Sequence, residues 1–347
     1  MAHDQGGVSR APVLPPADVP EIQRGNYFTV PGDDPVLDYL ATRWEDVERP
    51  AMWEAARLSQ ATYIYRETSI GRAIVAKFYS VKTGDSAEKH ARREFEMIRQ
   101  ARAAGLADGG TRAIQPWAVW RGVLFLEYVD GLTLEDAIAV RRSRPGRLSV
   151  NLSQVAALLA TLHSNGARPE TPADFEAAAA YAREVLEDLS QYGVIQDDPI
   201  TREGLLHSID WWADRPEMQD FAPTLIHGDA TTSNFIFPGD GGVVAVDWER
   251  LETADPAADL GRLMAEVLHS VTQHGGSASE GTSFVQYLTD VYRRALPGAW
   301  DVETFLERAC FYQASSMLRI ARNGWVSRLD RTALIARALA LLARRGD

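Results

Sequence analysis

The sequence predicts an α+β protein of two lobes, a small antiparallel-sheet lobe with one helix followed by a larger, mostly helical lobe. Short β-type runs crowd one region: WEAARLS (53–59), TYIYRE (62–67), AIVAKFY (73–79), AIQPWAVW (113–120) and VLFLEYV (123–129). A single charged helical stretch, 86–104, interrupts them. Past Gly131 the pattern turns helical, through LEDAIAVRRS, LSQVAALLATLHS and DFEAAAAYAREVLEDLSQ. The shift near residues 128–131 sets the boundaries: a tail and extension over 1–50, a sheet lobe over 51–129 and a helical lobe over 130–347. A cleft is the expected site.

Each element has its own warrant. The N-terminal MAHDQGGVSRAPVLPPADVP lacks the apolar core of a signal peptide and reads as a flexible Pro/Gly tail. DPVLDYLATRWE (34–45) has helical spacing at Leu37, Leu40 and Trp44. In AIVAKFY the only charge is Lys77, and a lysine in mid-strand is costly to bury unless it is paired. Two glutamates compete on the following helix. Glu94 shares its face with His90, Ala91, Met97 and Ile98, whereas Glu96 sits among Arg92, Arg93, Arg99 and Gln100. Glu94 is therefore the inward one.

Composition narrows the function. The 347 residues, 46% of them apolar, suit one large domain or two lobes. The single cysteine, Cys310, allows no internal disulfide and fits a reducing cytosol, so a cytoplasmic location is expected. A net charge of −12 argues against a nucleic-acid partner. No run approaches the roughly 18 apolar residues that span a bilayer, so no membrane partner is expected. Oligomeric state leaves no signature.

The chemistry concentrates in LIHGDATTSNFIF (225–237), a polar loop between apolar strand ends. Asp229 and Asn234 stand as D-x-x-x-x-N, and the strand VVAV that follows ends at Asp247. Phosphoryl transfer needs an oriented hydroxyl, a carboxylate to take its proton, and hard oxygen ligands for one or two Mg²⁺ ions. An Asp-Asn loop alone is ordinary turn chemistry.

HGDATTSN, VDWE and DPAADLG, in this order, resemble the aminoglycoside phosphotransferase and choline kinase superfamily, whose fold is related to protein kinases. The resemblance covers nearly everything past residue 50 and implies ATP or GTP as co-substrate, Mg²⁺ as cofactor and a hydroxyl-bearing small molecule as acceptor. It implies that Asp229 is the catalytic base, that Asn234 and Asp247 bind Mg²⁺, and that Asp259 braces the loop. His227 packs and hydrogen-bonds beside the loop, and His163 reads as a satisfied core histidine. Lys77 would grip phosphates while held by Glu94, and the backbone near Glu127 and Val129 would read the base. The turn RLSQATY lacks the kinase glycines, which leaves the Ser59 hydroxyl and loop amides for the phosphates and leaves ATP against GTP open.

Other residues favour plainer roles. Trp211 and Trp212 read as core, and Glu187, Asp188, Asp197 and Asp198 as a solvated face. Glu249 and Asp255 fit a supporting or a solvated role equally. Two alternatives remain: a catalytically silent nucleotide-binding scaffold, and a dinuclear phosphohydrolase built on His227, Asp229 and Asp247. The second lacks the further ligands it would need.

Overall fold

The structure, a computed structural model, describes residues 11–16, 27–43, 52–168, 170–195, 198–296 and 301–343. Most of the expected tail, Trp44 and Glu45 of the expected helix, and Asp197 lie outside the described residues. The chain divides into two units, Met1–Gln100 with Ile114–Asp130, and Ala101–Ala113 with Gly131–Asp347.

The first unit contains β1 (Phe28–Thr29), α1 (Pro35–Arg43), β2 (Trp53–Ser59), β3 (Thr62–Glu67), β4 (Ala73–Phe78), the short α2 (Ser80–Thr83) and α3 (Ala87–Ala101). After β5 (Thr111–Ala113), which belongs to the second unit, come β6 (Pro116–Trp120) and β7 (Val123–Glu127). The sheet is antiparallel throughout, in the order β1-β2-β3-β4-β7-β6. Strand alternation then decides who faces what. Ile74, Ala76 and Phe78 join Trp53, Ala55, Tyr63, Tyr65, Val123 and Phe125 in one apolar core, which sends Lys77 to the opposite face.

That core is covered by the N-terminal extension. Val13, Val30, Val36 and Leu40 are buried in it, and Tyr39 stacks on Trp120 and Phe125 with ring centroids 4.8 and 5.1 Å apart. The Val13 amide donates to the Arg121 carbonyl at 2.9 Å, and the Val13 carbonyl accepts from Ser80 Oγ at 2.5 Å. Residues 11–16 are thus held against the sheet, where the sequence suggests a flexible tail. With too few residues to show a period, this stretch gives no pattern to read. The charged helix also ends earlier than its pattern suggests. It passes into a wide turn over Arg102–Leu106, in which Gly105 takes φ +96°.

The second unit continues with β8 (Gly131–Thr133), α4 (Leu134–Ala139), α5 (Arg147–Asn165), α6 (Phe175–Gln191), α7 (Pro199–Ala213) and β9 (Thr224–Ile226). Next come β10 (Phe235–Pro238), β11 (Val243–Ala245), β12 (Glu252–Ala254), α8 (Ala257–Gln273), α9 (Ala278–Ala295), α10 (Val302–Arg322) and α11 (Arg328–Leu342). A small sheet, β5-β11-β10-β8, and the pair β12-β9 frame the loop of interest. Thr133 and Asp136 close a capping box at the start of α4. Gly261 lets α8 approach α10, since a Cβ there would lie 2.5 Å from the Ala309 carbonyl oxygen. Trp212 is core, with Nε1 donating to the Leu342 carbonyl at 2.9 Å.

Leu40, 2% exposed, is the test of the extension. Leu40→Ala is expected to cost about 2–5 kcal/mol in urea unfolding; a change near zero would mean that the extension adds nothing to the first unit.

Candidate active site

In the first unit, Lys77 Nζ lies 2.8 Å from Glu94 Oε2, with side chains 8% and 1% exposed. Tyr79 OH donates to the same oxygen. A lysine turned off the apolar face meets the one inward glutamate of α3. Glu96 instead lies exposed beside Arg99. A buried pair of this kind is costly to break, about 3–5 kcal/mol when one partner is removed. Ser59 ends β2, and its Oγ accepts the Ala61 amide at 3.4 Å. Glu127 ends β7, with Oε1 accepting the Gln115 amide at 2.6 Å, and Val129 lies just beyond, outside any strand.

In the second unit the loop after β9 is fixed from beneath. Asp259, in the first turn of α8 and 1% exposed, accepts the His227 amide at 2.7 Å and the Gly228 amide at 2.9 Å. His163 Nε2 bonds the same carboxylate at 3.1 Å, and His163 Nδ1 bonds Tyr292 OH at 2.5 Å. Burial pushes the Asp259 carboxyl up, but the hydrogen bonds and charge of His163, with help from His227, hold it below the ordinary value of 3.8. His163 is thus a buried histidine with both ring nitrogens bonded.

Gly228 takes φ +75°, and a Cβ there would sit 2.1 Å from the Arg250 carbonyl oxygen. Only glycine fits. His227 is buried; its Nε2 bonds the Val246 carbonyl at 3.0 Å, its Nδ1 accepts the Asp229 amide at 3.3 Å, and its ring lies 4.4 Å from Trp248.

Asp229 Oδ1 accepts from Arg262 Nη1 at 2.6 Å. Asn234 Nδ2 donates to the Asp229 carbonyl at 2.9 Å, so its amide oxygen points elsewhere. The Val246 amide donates to the Asn234 carbonyl at 3.0 Å, which sets Asp247 next to that link in sequence. β11 ends at Ala245, two residues before the expected strand end, because Asp247 adopts φ +62°. A non-glycine residue held there is strained by about 1–3 kcal/mol, and the turn is closed by Trp248 Nε1 donating to the Ala245 carbonyl at 2.9 Å. Asp255 is not solvated: it is buried, with Oδ2 accepting from Arg308 Nε at 2.8 Å.

Arg262 is the residue that the motif reading missed. Its signal was available, since it stands three positions past Asp259 on the same helix face.

A small antiparallel sheet carrying a lysine–glutamate pair, and a helical unit whose Asp-Asn loop is braced by a second acid, define a kinase-like phosphotransferase fold. The phosphotransferase enzyme family (APH) matches residues 54–299, and the chain belongs to it. No curated protein sequence matches the chain. Among solved structures, an aminoglycoside phosphotransferase from Alicyclobacillus acidocaldarius is 17% identical, with a TM-score of 0.55 over 83% of this chain and 90% of its own. The Plasmodium vivax ethanolamine kinase is 12% identical, with a TM-score of 0.56 over 88% and 87%. APH(2″)-IIia, solved with GDP and kanamycin, is 16% identical, with a TM-score of 0.55 over 88% and 96%. These likenesses are of fold. Among the described residues, no helix is long and apolar enough to cross a membrane.

The Asp259 shift makes a signed prediction. Its folded pKa lies below its unfolded one, so its stabilisation is present above pH 3.8 and fades as pH falls. Asp259→Asn is expected to lower stability at neutral pH, with the gap to the wild type narrowing below that value in denaturant titrations; a gap independent of pH would contradict the assignment.

Proposed function

We propose that the enzyme transfers the γ-phosphoryl group of ATP or GTP to a hydroxyl of a small molecule. Family membership supports the reaction class. The observation that carries the site reading is the fixed loop, in which Asp259 holds the backbone and Arg262 holds the Asp229 carboxylate. In this reading Asp229 orients the acceptor hydroxyl and takes its proton as the oxygen–phosphorus bond forms.

Asn234 and Asp247 fit Mg²⁺. The Asn234 nitrogen donates to the Asp229 carbonyl, and its amide oxygen, which accepts from Ser233 Oγ at 3.4 Å, is a hard oxygen donor of the kind Mg²⁺ takes, as is the Asp247 carboxylate. Bound there, the ion would neutralise charge on the transferring phosphoryl oxygens. Lys77, set by Glu94, anchors the phosphates, Ser59 and its neighbouring amides cover them, and the backbone at Glu127 and Val129 reads the base. His227 and Asp259 keep the loop in shape. The acceptor belongs among aminoglycosides, sugars, amino alcohols and related metabolites, in keeping with the kanamycin complex and the ethanolamine kinase among the structural neighbours. Neither the family match nor the site favours the silent scaffold.

A mass-detected acceptor screen with ATP and GTP tests the reaction. Asp229→Asn is expected to lower kcat by about 10²–10⁴-fold with nucleotide affinity unchanged, whereas Lys77→Ala weakens nucleotide use. Equal loss of nucleotide binding in both variants would refute this division of roles.

A further inference from the structure

We propose that Arg262 is a positioning residue for Asp229, fixing which carboxylate oxygen faces the acceptor; this rests on the phosphotransfer reading above. An aspartate side chain on a loop turns freely about two torsions unless something holds it. Here Arg262 Nη1 donates to Oδ1 at 2.6 Å, with side chains only 16% and 22% exposed, while Oδ2 takes no hydrogen bond among the described residues. One oxygen is held and the other is left to receive a proton.

The choice of arginine fits this work. A guanidinium donates but does not accept at working pH, so it cannot compete with Asp229 for the acceptor's proton. Its own position is set by the helix. Arg262 lies one turn past Asp259, so α8 grips the loop backbone through one side chain and the reactive carboxylate through the next. A turn further on, Glu266 bears on Arg262 electrostatically and is paired with Arg319. The row Asp259, Arg262, Glu266 is a brace of alternating charge along one helix face. Proton and bond balance are those of the main reaction: the acceptor O–H bond breaks and its proton goes to Asp229 Oδ2, the acceptor oxygen bonds to the γ-phosphorus, and the bond from that phosphorus to the β–γ bridging oxygen breaks, releasing the nucleoside diphosphate.

The test is a double-variant cycle on the full chain with Arg262→Gln, Asp229→Asn and the pair together. Turnover is followed with Mg²⁺ and ATP or GTP, with water as the acceptor probe and phosphate release as the readout. Arg262→Gln is expected to lower kcat by about 10²-fold with nucleotide KM little changed. Arg262→Lys should recover most of the loss, and the pair should be no slower than Asp229→Asn alone. Multiplying losses, or wild-type turnover in Arg262→Gln, would overturn the proposal.

A parallel urea-unfolding cycle reads the ion pair without turnover. Non-additive midpoints support it, and additive midpoints overturn it whatever the activity. If the wild type releases no phosphate and no acceptor is phosphorylated, the phosphotransfer reading fails, and the unfolding cycle alone decides whether Arg262 fixes Asp229.

Discussion

One buried carboxylate organises the second unit's candidate site. Asp259 is ionised in the interior because three donors meet it: two successive loop amides and the ring of His163. An isolated charge at that depth would be untenable, and the same charge with its lone pairs satisfied becomes a rigid post. His163 is itself tied to Tyr292, whose ring stacks on Phe305 of α10 with centroids 5.5 Å apart. The loop is therefore referenced to helices α5, α8, α9 and α10 at once, and its conformation is set by the packing of the whole helical unit.

The first unit solves a different problem with similar means. Its sheet must present a lysine among apolar strands, and strand alternation turns Lys77 away from the core that Ile74, Ala76 and Phe78 fill. On the other face that ammonium needs a compensating charge, and the Glu94 carboxylate provides one. The N-terminal extension completes the opposite face, so residues outside the family match still contribute to the unit that carries Lys77.

Much of this was legible in the sequence. The runs at 53–59 and 62–67 match the observed strands residue for residue, because each stops on a polar residue, Ser59 and Glu67, where a turn begins. Helical spacing alone separated Glu94 from Glu96. The hidden parts are those where tertiary partners decide. Nothing local marks Val13 as a core residue, and its place depends on Arg121 and Ser80, distant in sequence. The left-handed turn at Asp247 cut short a strand that its valines would have continued. Asp255 looked as though it could be solvated because its partner, Arg308, lies far along the chain. Arg262 carried a readable spacing, but its partner is a loop side chain whose orientation no periodicity encodes.

The central claim is that Asp259 holds the 227–234 loop as a local brace. Amide hydrogen exchange of the peptide containing His227 and Gly228, compared between the wild type and Asp259→Asn, tests it most directly. If the brace is local, exchange in that peptide rises strongly in the variant while the peptides of α10 keep their protection. Unchanged exchange at His227 and Gly228, or an equal rise across the whole second unit, would contradict it.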